Sequence, residues 1–168
     1  MIESIEDFFI HANKSIENVN TFFQENGLHD WCTVDHLGYK CATHEEFETL
    51  RKIFEVNSFY IYQSIISERR IAIIRLLIPI KTPCGDIWYI ELSDQKPDNS
   101  FVSSFEHIEV YPRNKNIEEL VKFLQEKNIR VEKIEKPHHT TWDFFVEGFK
   151  VRIESCILIE KIKKEEML

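Results

Sequence analysis

Four residues in the sequence have the types and spacing to bind a metal ion together. His36 and His107 each follow an acidic residue at the start of an apolar stretch, and Glu91 and Glu154 each follow an isoleucine. The histidines are 107 − 36 = 71 residues apart and the glutamates 154 − 91 = 63, comparable offsets for one duplicated unit. Neutral imidazole plus carboxylate suits Zn, Ni, Co, Mn or Fe. We therefore predict that these four side chains form a divalent-metal site.

Strand alternation puts the four residues on the polar faces of predicted strands. Successive side chains of a strand point to opposite faces, so His36 lies opposite the apolar Leu37, and Glu91 lies opposite Ile90. The same alternation separates His107 and Glu154 from their apolar neighbours. In each half of the chain one sheet face can pack against a helix, while the other carries a His on the first strand and a Glu on the last.

The second carboxylate of the site stays open between two residues. Glu109 lies two residues after His107 on the same strand face, so it could replace Glu154 as a ligand or act as a base that moves a proton. A single strand histidine is most simply a hydrogen-bonded core residue, and Glu91 alone could be a solvated residue on an open sheet face. The repetition of both residue types favours the metal site.

The elements that carry these residues occur twice in one order. Apolar spacing predicts a helix over 2–26, ended by Gly27, and a capping box at Thr43 and Glu46 starts a second helix. β-Branched and aromatic runs predict the strands of the first half, which are 31–41, 59–67, 70–80 and 86–93. The second half has a strand at 105–111, a helix at 117–127 and strands near 130–136, 140–147 and 149–156.

The predicted fold is α+β: two β-α-β-β-β modules that form a cupped, mostly antiparallel eight-stranded sheet, with an N-terminal helix. We place the boundaries within one compact domain as follows: N-terminal helix 1–28, first module 29–94, linker 95–104, second module 105–156 and charged tail 157–168.

Composition excludes several classes of function. Lys plus Arg is 21 and Asp plus Glu is 29, giving a net charge of −8, which argues against nucleic acid or an anionic membrane as partner. Only four glycines are present, and no dinucleotide-binding, P-loop or α/β-hydrolase motif can be written with them. The four cysteines are scattered, and the acidic N-terminal stretch is unlike a secretion signal, so we expect a reduced, cytoplasmic protein.

Three short segments carry a resemblance to a known family. V-D-H-L-G-Y-K-C at 34–41, Y-I-E-L at 89–92 and F-E-H-I-E-V at 105–110, with the leading helix, resemble the YecM family. The duplicated pattern as a whole looks like the vicinal oxygen chelate superfamily of glyoxalase I, bleomycin-resistance proteins and extradiol dioxygenases. That resemblance implies metal ligands at His36, Glu91, His107 and Glu154, and an ion that holds paired oxygens of a substrate.

The resemblance and the residues together favour a metal-dependent enzyme on a small oxygen-rich substrate. The ion would act as a Lewis acid while Glu154 or Glu109 moves a proton, as isomerase, epimerase or lyase chemistry requires. An Fe(II) oxidoreductase is less favoured, because its facial triad uses two His and one carboxylate and this sequence offers more carboxylates. The alternative is a small-molecule sequestering protein of the bleomycin-resistance type. A homodimer is compatible with either.

Overall fold

The computed structural model of the chain describes residues 2–66, 68–135, 140–160 and 162. Its helices are α1 (Ile5–Ser15), α2 (Glu17–Glu25), α3 (His44–Asn57) and α4 (Ile117–Glu126), with a short 3-10 helix at Leu28–Asp30. Its strands are β1 (Cys32–Lys40), β2 (Ser58–Ile66), β3 (Arg69–Thr82), β4 (Gly85–Ser93), β5 (Ser104–Pro112), β6 (Glu132–Glu135), β7 (Thr140–Val146) and β8 (Phe149–Ile153). Of the predicted charged tail (157–168), residues 161 and 163–168 lie outside the described part.

The sheet topology repeats between the two halves of the chain. The strand order is β2-β3-β4-β1-β5-β8-β7-β6. From the centre of the sheet outward, each half therefore contains the first strand of its module, then the fourth, the third and the second. β1 pairs with β4 in parallel, and β5 pairs with β8 in parallel. The pairs β2·β3, β6·β7 and β7·β8 are antiparallel. The predicted α+β fold of duplicated β-α-β-β-β modules is therefore confirmed.

The predicted helix over 2–26 is in fact two helices. The ladder of α1 ends at Ile16, which has φ −104° and ψ 7°, and α2 starts at the next residue. The Ser15 hydroxyl donates to the carbonyl of Ala12 at 2.7 Å, a local side-chain bond that competes with helix continuation. Ile16 itself is fully buried, so the residue at the break is part of the core. Gly27, predicted to end the helix, has φ +66°, a conformation that favours glycine.

The chain divides into two compact units, of which the first comprises Met1–Glu17, His36–Lys81 and Ile87–Glu106. Its core is aromatic: the ring of Phe8 in α1 lies 4.9 Å from that of Phe54 in α3 and 5.2 Å from that of Phe105 in β5. Phe8 and Phe54 are fully buried. Helix α3 thus packs in this unit through the face that carries its buried residues Phe47, Leu50 and Phe54.

The second unit comprises Asn18–Asp35, Thr82–Asp86 and His107–Leu168. Helix α4 begins at a complete capping box, in which Asn116 accepts from the backbone N–H of Glu119 and Glu119 accepts from that of Asn116. Trp31 stacks on Phe123 of α4 with ring centroids 4.0 Å apart. Within the described ranges, no helix has the length and apolar character needed to cross a membrane.

Candidate metal centre

The first module contributes one imidazole and one carboxylate. β1 and β4 pair in parallel with His36 opposite Tyr89 and Gly38 opposite Glu91, so His36 and Glu91 lie on the same sheet face. His36 Nε2 lies 3.8 Å from Glu91 Oε2. The His36 side chain is fully buried, whereas that of Glu91 is 21% exposed. Leu37, next to His36, and Ile90, next to Glu91, are buried on the opposite face. The alternation predicted for both strands therefore brings His36 and Glu91 to the same side of the sheet.

The second module contributes an imidazole with a different carboxylate neighbour. His107 and Glu109 are two residues apart in β5, and His107 Nε2 lies 4.0 Å from Glu109 Oε1. Both side chains are nearly buried, at 6% and 10% exposed. A buried imidazole beside a buried carboxylate can bind a cation or accept a proton, because either one offsets the negative charge of the carboxylate in a site with little water.

Among the described residues, His36, Glu91 and His107 form one group that could hold a metal ion. One ligand atom from each lies within 4.8 Å of the others. Ligand atoms of one tetrahedral zinc-like ion at about 2.0–2.2 Å lie about 3.3–3.6 Å apart, so the three groups would close in by about an ångström to share an ion. Two imidazoles and one carboxylate are a donor set that first-row divalent metals accept. The residues present therefore fit a divalent ion.

Glu154 does not occupy the position that the sequence alignment gave it. With His36 and His107 superposed, the strand registers make Arg152 the counterpart of Glu91, and Glu154 the counterpart of Ser93. Glu154 lies one residue beyond β8, where its N–H donates to the carbonyl of Val110 at 3.1 Å. The alignment of Glu91 on Glu154 was therefore wrong by two residues. Glu154 is buried, with 4% of its surface exposed, and it is not part of the group formed by His36, Glu91 and His107. Its role as a ligand stays a prediction.

Glu109 is held by a tyrosine that the sequence analysis did not single out. The hydroxyl of Tyr111 donates to Glu109 Oε2 at 2.7 Å and lies 3.4 Å from Asp35 Oδ2. The backbone N–H of Leu158 donates to Asp35 Oδ2 at 3.2 Å and lies 3.3 Å from the Tyr111 hydroxyl. Burial, then the negative charge of Glu109 and of Asp35, raises the pKa of Tyr111 well above its usual range. The alternation of residues 107, 109 and 111 was the one signal that could have found it.

The fold and the site define the class of the protein: a duplicated β-α-β-β-β sheet that carries a His/Glu cluster. The model of one family, the YecM protein family, matches residues 5–164. The chain therefore belongs to the YecM family, and the resemblance found in its motifs is confirmed.

The solved structures that this chain matches have several descriptions. A structural-genomics protein, EC4020, has a TM-score of 0.67 with 18% identity, over 92% of this chain and 91% of its own. Methylmalonyl-CoA epimerase from Streptomyces coelicolor, complexed with 2-nitronate-propionyl-CoA, has a TM-score of 0.46 with 14% identity, over 72% and 94%. The fosfomycin resistance protein FosX from Listeria monocytogenes, complexed with Mn(II) and a dihydroxypropylphosphonic acid, has a TM-score of 0.31 with 11% identity, over 76% and 94%. The comparison with curated proteins finds no significant match. At these identities the likeness to EC4020 shows the fold alone.

Proposed function

We propose that this protein is a divalent-metal-dependent enzyme of the glyoxalase-like type, acting on a small oxygen-rich substrate by proton transfer. The observation that carries the proposal is the group formed by His36, Glu91 and His107, with ligand atoms within 4.8 Å of one another. Buried imidazoles with a carboxylate are common in structural cores as well, but three such groups converging from three strands favour a metal centre.

His36, Glu91 and His107 would hold the ion. When bound, the ion supplies Lewis-acid chemistry at a carbonyl or diol oxygen. The chain's own contribution is to bring the two imidazoles into a buried environment, where water competes little for coordination. The 21% exposure of the Glu91 side chain leaves an approach from solvent on the carboxylate side. A small molecule of low molecular mass fits this arrangement better than a polymer.

Glu109 is the residue that we propose moves the proton. Its Oε2 is engaged by the Tyr111 hydroxyl, and its Oε1 is the oxygen measured 4.0 Å from His107 Nε2. Tyr111 fixes the orientation of the carboxylate, so Oε1 would accept a proton from substrate and return it. Isomerase, epimerase and lyase reactions all require such a transfer. Glu154, the other carboxylate singled out by the sequence, is the alternative acid–base residue.

The donor set itself favours one second candidate function. Two histidines and one carboxylate are the set found in the facial triad of non-haem Fe(II) oxygenases. The group of three in this structure has that composition, whereas the sequence had predicted a second carboxylate. An oxidoreductase that requires Fe(II) and O₂ is therefore the second candidate, and it is distinguished by oxygen uptake that depends on Fe(II).

The metal content of the purified protein tests the proposal. We expect one divalent ion per chain by elemental mass spectrometry after dialysis against each candidate metal, and loss of that ion in His36→Ala and His107→Ala. Since His36 is fully buried, Glu91→Gln provides a milder variant with the same shape and no charge. His29→Ala is the matched control, because the His29 side chain is 52% exposed and lies outside the group of three.

Three outcomes contradict the proposal. Full metal content in all three ligand variants would exclude this ligand set. A wild-type chain that binds no divalent ion, yet binds an aromatic or sugar-like compound tightly, would identify a sequestering protein. Binding of acetohydroxamate, which chelates through paired oxygens, should require the metal-loaded chain. Binding that is equal in the metal-free chain would exclude coordination by the ion.

We place the enzyme in the cytoplasm, where its four free cysteines would stay reduced.

A further inference from the structure

Three cationic side chains of the first unit converge on the ring of Phe101. The ammonium groups of Lys40 and Lys96 lie 4.6 Å and 4.8 Å from the ring centroid. The guanidinium carbon of Arg69 lies 5.4 Å from it, and all three side chains are half-buried. No two of these charges are therefore more than about 10 Å apart, a separation at which salt screens them only in part. The three groups repel one another, and the ring face offsets only part of that repulsion.

A buried glutamine holds the loop that contributes the ring and one of the cations. Gln95 Oε1 accepts from the backbone N–H of Lys96 at 2.8 Å and from that of Phe101 at 2.9 Å. Gln95 Nε2 donates to the carbonyl of Phe101 at 3.0 Å. The other two cations lie at strand ends, because Lys40 is the last residue of β1 and Arg69 is the first residue of β3. The fold therefore holds the cluster together.

The carboxylates beside the cluster do not neutralise it. Glu106 pairs with Lys40 at 3.0 Å, whereas Asp98, whose charge acts on Lys96, is fully exposed. Arg69 Nε is buried and has no hydrogen-bond acceptor among the residues that the structure describes. A buried donor without an acceptor costs free energy, and the cost is greater when the donor is charged. On a chain with a net charge of −8, the cluster is thus a locally positive site that favours an anionic acceptor.

We propose that Lys40, Arg69 and Lys96 form a binding site for the phosphate group of a small molecule. A phosphate group has three strong acceptor oxygens and up to two negative charges, so it matches three cationic donors better than a carboxylate does. The planar donors of arginine suit phosphate in particular. A polymer with many phosphates is disfavoured, because the net charge of the chain would repel the phosphates outside the cluster.

Titration calorimetry with inorganic phosphate tests this inference. The wild-type chain should bind phosphate saturably in a buffer whose ionic strength is held constant with sodium chloride. Lys96→Gln should raise the dissociation constant at least about tenfold, because it removes a charge-assisted hydrogen bond, and Arg69→Gln should have the same effect. Lys122→Gln is the matched control, because the Lys122 side chain is 78% exposed and lies in α4. The control should bind phosphate as the wild type does.

A further variant separates this site from the proposed metal centre. Glu91→Gln removes a proposed metal ligand and should leave phosphate binding unchanged. Phosphate binding that is lost in Glu91→Gln but retained in Lys96→Gln would overturn the inference. So would the absence of saturable binding in the wild type, or equal dissociation constants for the wild type, Lys96→Gln and Arg69→Gln.

Glycerol phosphate distinguishes the two sources of the phosphate group. Its competition with inorganic phosphate would identify a phosphate ester as the ligand. Failure to compete, with phosphate binding that still depends on Lys96, would identify the free ion as the ligand. In both cases the inference is independent of the proposed metal chemistry.

Discussion

Substitution of Arg152 by Met should destabilise the protein by about 3 kcal/mol, because it leaves a carboxylate buried without its counter-charge. The guanidinium of Arg152 donates to Asp143 from Nε to Oδ1 at 3.0 Å and from Nη2 to Oδ2 at 3.1 Å. The two side chains are only 17% and 7% exposed. Breaking a buried, hydrogen-bonded ion pair costs about 3–5 kcal/mol, and the partial exposure of Arg152 favours the lower end. At about 2–4 °C per kcal/mol for a chain of this size, the midpoint of unfolding should fall by about 6–12 °C.

Calorimetry with a double-mutant cycle distinguishes this reasoning from a simple loss of packing. Asp143→Asn combined with Arg152→Met should recover a large part of the loss, because no uncompensated charge then remains buried. Arg130→Met is the matched control, since the Arg130 and Glu132 side chains are 87% and 44% exposed, and its effect should be within about 1 kcal/mol. A fall of less than about 2 °C for Arg152→Met, or strictly additive effects in the cycle, would refute the argument.

Three further predictions concern the core, the response to alkali and the thiols. Phe8→Ala should lower the free energy of unfolding by about 3–5 kcal/mol in urea titrations, because Phe8 is fully buried in an aromatic cluster; a loss below about 1 kcal/mol would contradict this packing. Burial and neighbouring carboxylates raise the pKa of Tyr39 and Tyr111, so the folded state keeps these protons when the unfolded chain loses them near pH 10. The free energy of unfolding should therefore fall as pH rises above about 10, less steeply in the double Phe variant, and equal slopes would count against the assignment. Cys156, which is partly exposed, should react with a thiol reagent before Cys41, whose pKa is raised by burial; simultaneous modification monitored by mass spectrometry would exclude this order.

The strand and module pattern could be predicted because it depends on local alternation. His36 and Glu91 lie on faces that the apolar residues between them determine, and the structure brings the two side chains to 3.8 Å as that pattern indicates. β3 and β4 are joined at Pro83 and Cys84, in the gap between the strands predicted at 70–80 and 86–93. Each of these features rests on neighbours within a few positions along the chain.

The position of Glu154 could not be predicted, for a reason inherent in strand periodicity. A shift of two residues in the register of β8 leaves every side chain on the same face, so alternation cannot distinguish Arg152 from Glu154 as the counterpart of Glu91. The register is fixed instead by the pairing of β8 with β5 and with β7. For Tyr111, the alternation of β5 places it on the face of Glu109, but its contact with Asp35 joins residues 76 positions apart, and no local pattern reports such a contact.

The two modules differ in which strand carries the carboxylate that faces the histidine. In the first module Glu91 stands opposite Gly38, which has no side chain to compete for it. In the second module the equivalent pair is Arg152 opposite Glu109. The carboxylate of that module therefore lies on its first strand, and the position equivalent to Glu91 is occupied by the cationic Arg152. No side chain therefore stands opposite Glu91, whereas Glu109 is in register with Arg152 and accepts a hydrogen bond from Tyr111. Because of this asymmetry, the group contains two histidines and one glutamate rather than two of each, and it supports the proposed coordination by Glu91 and the proposed proton transfer by Glu109.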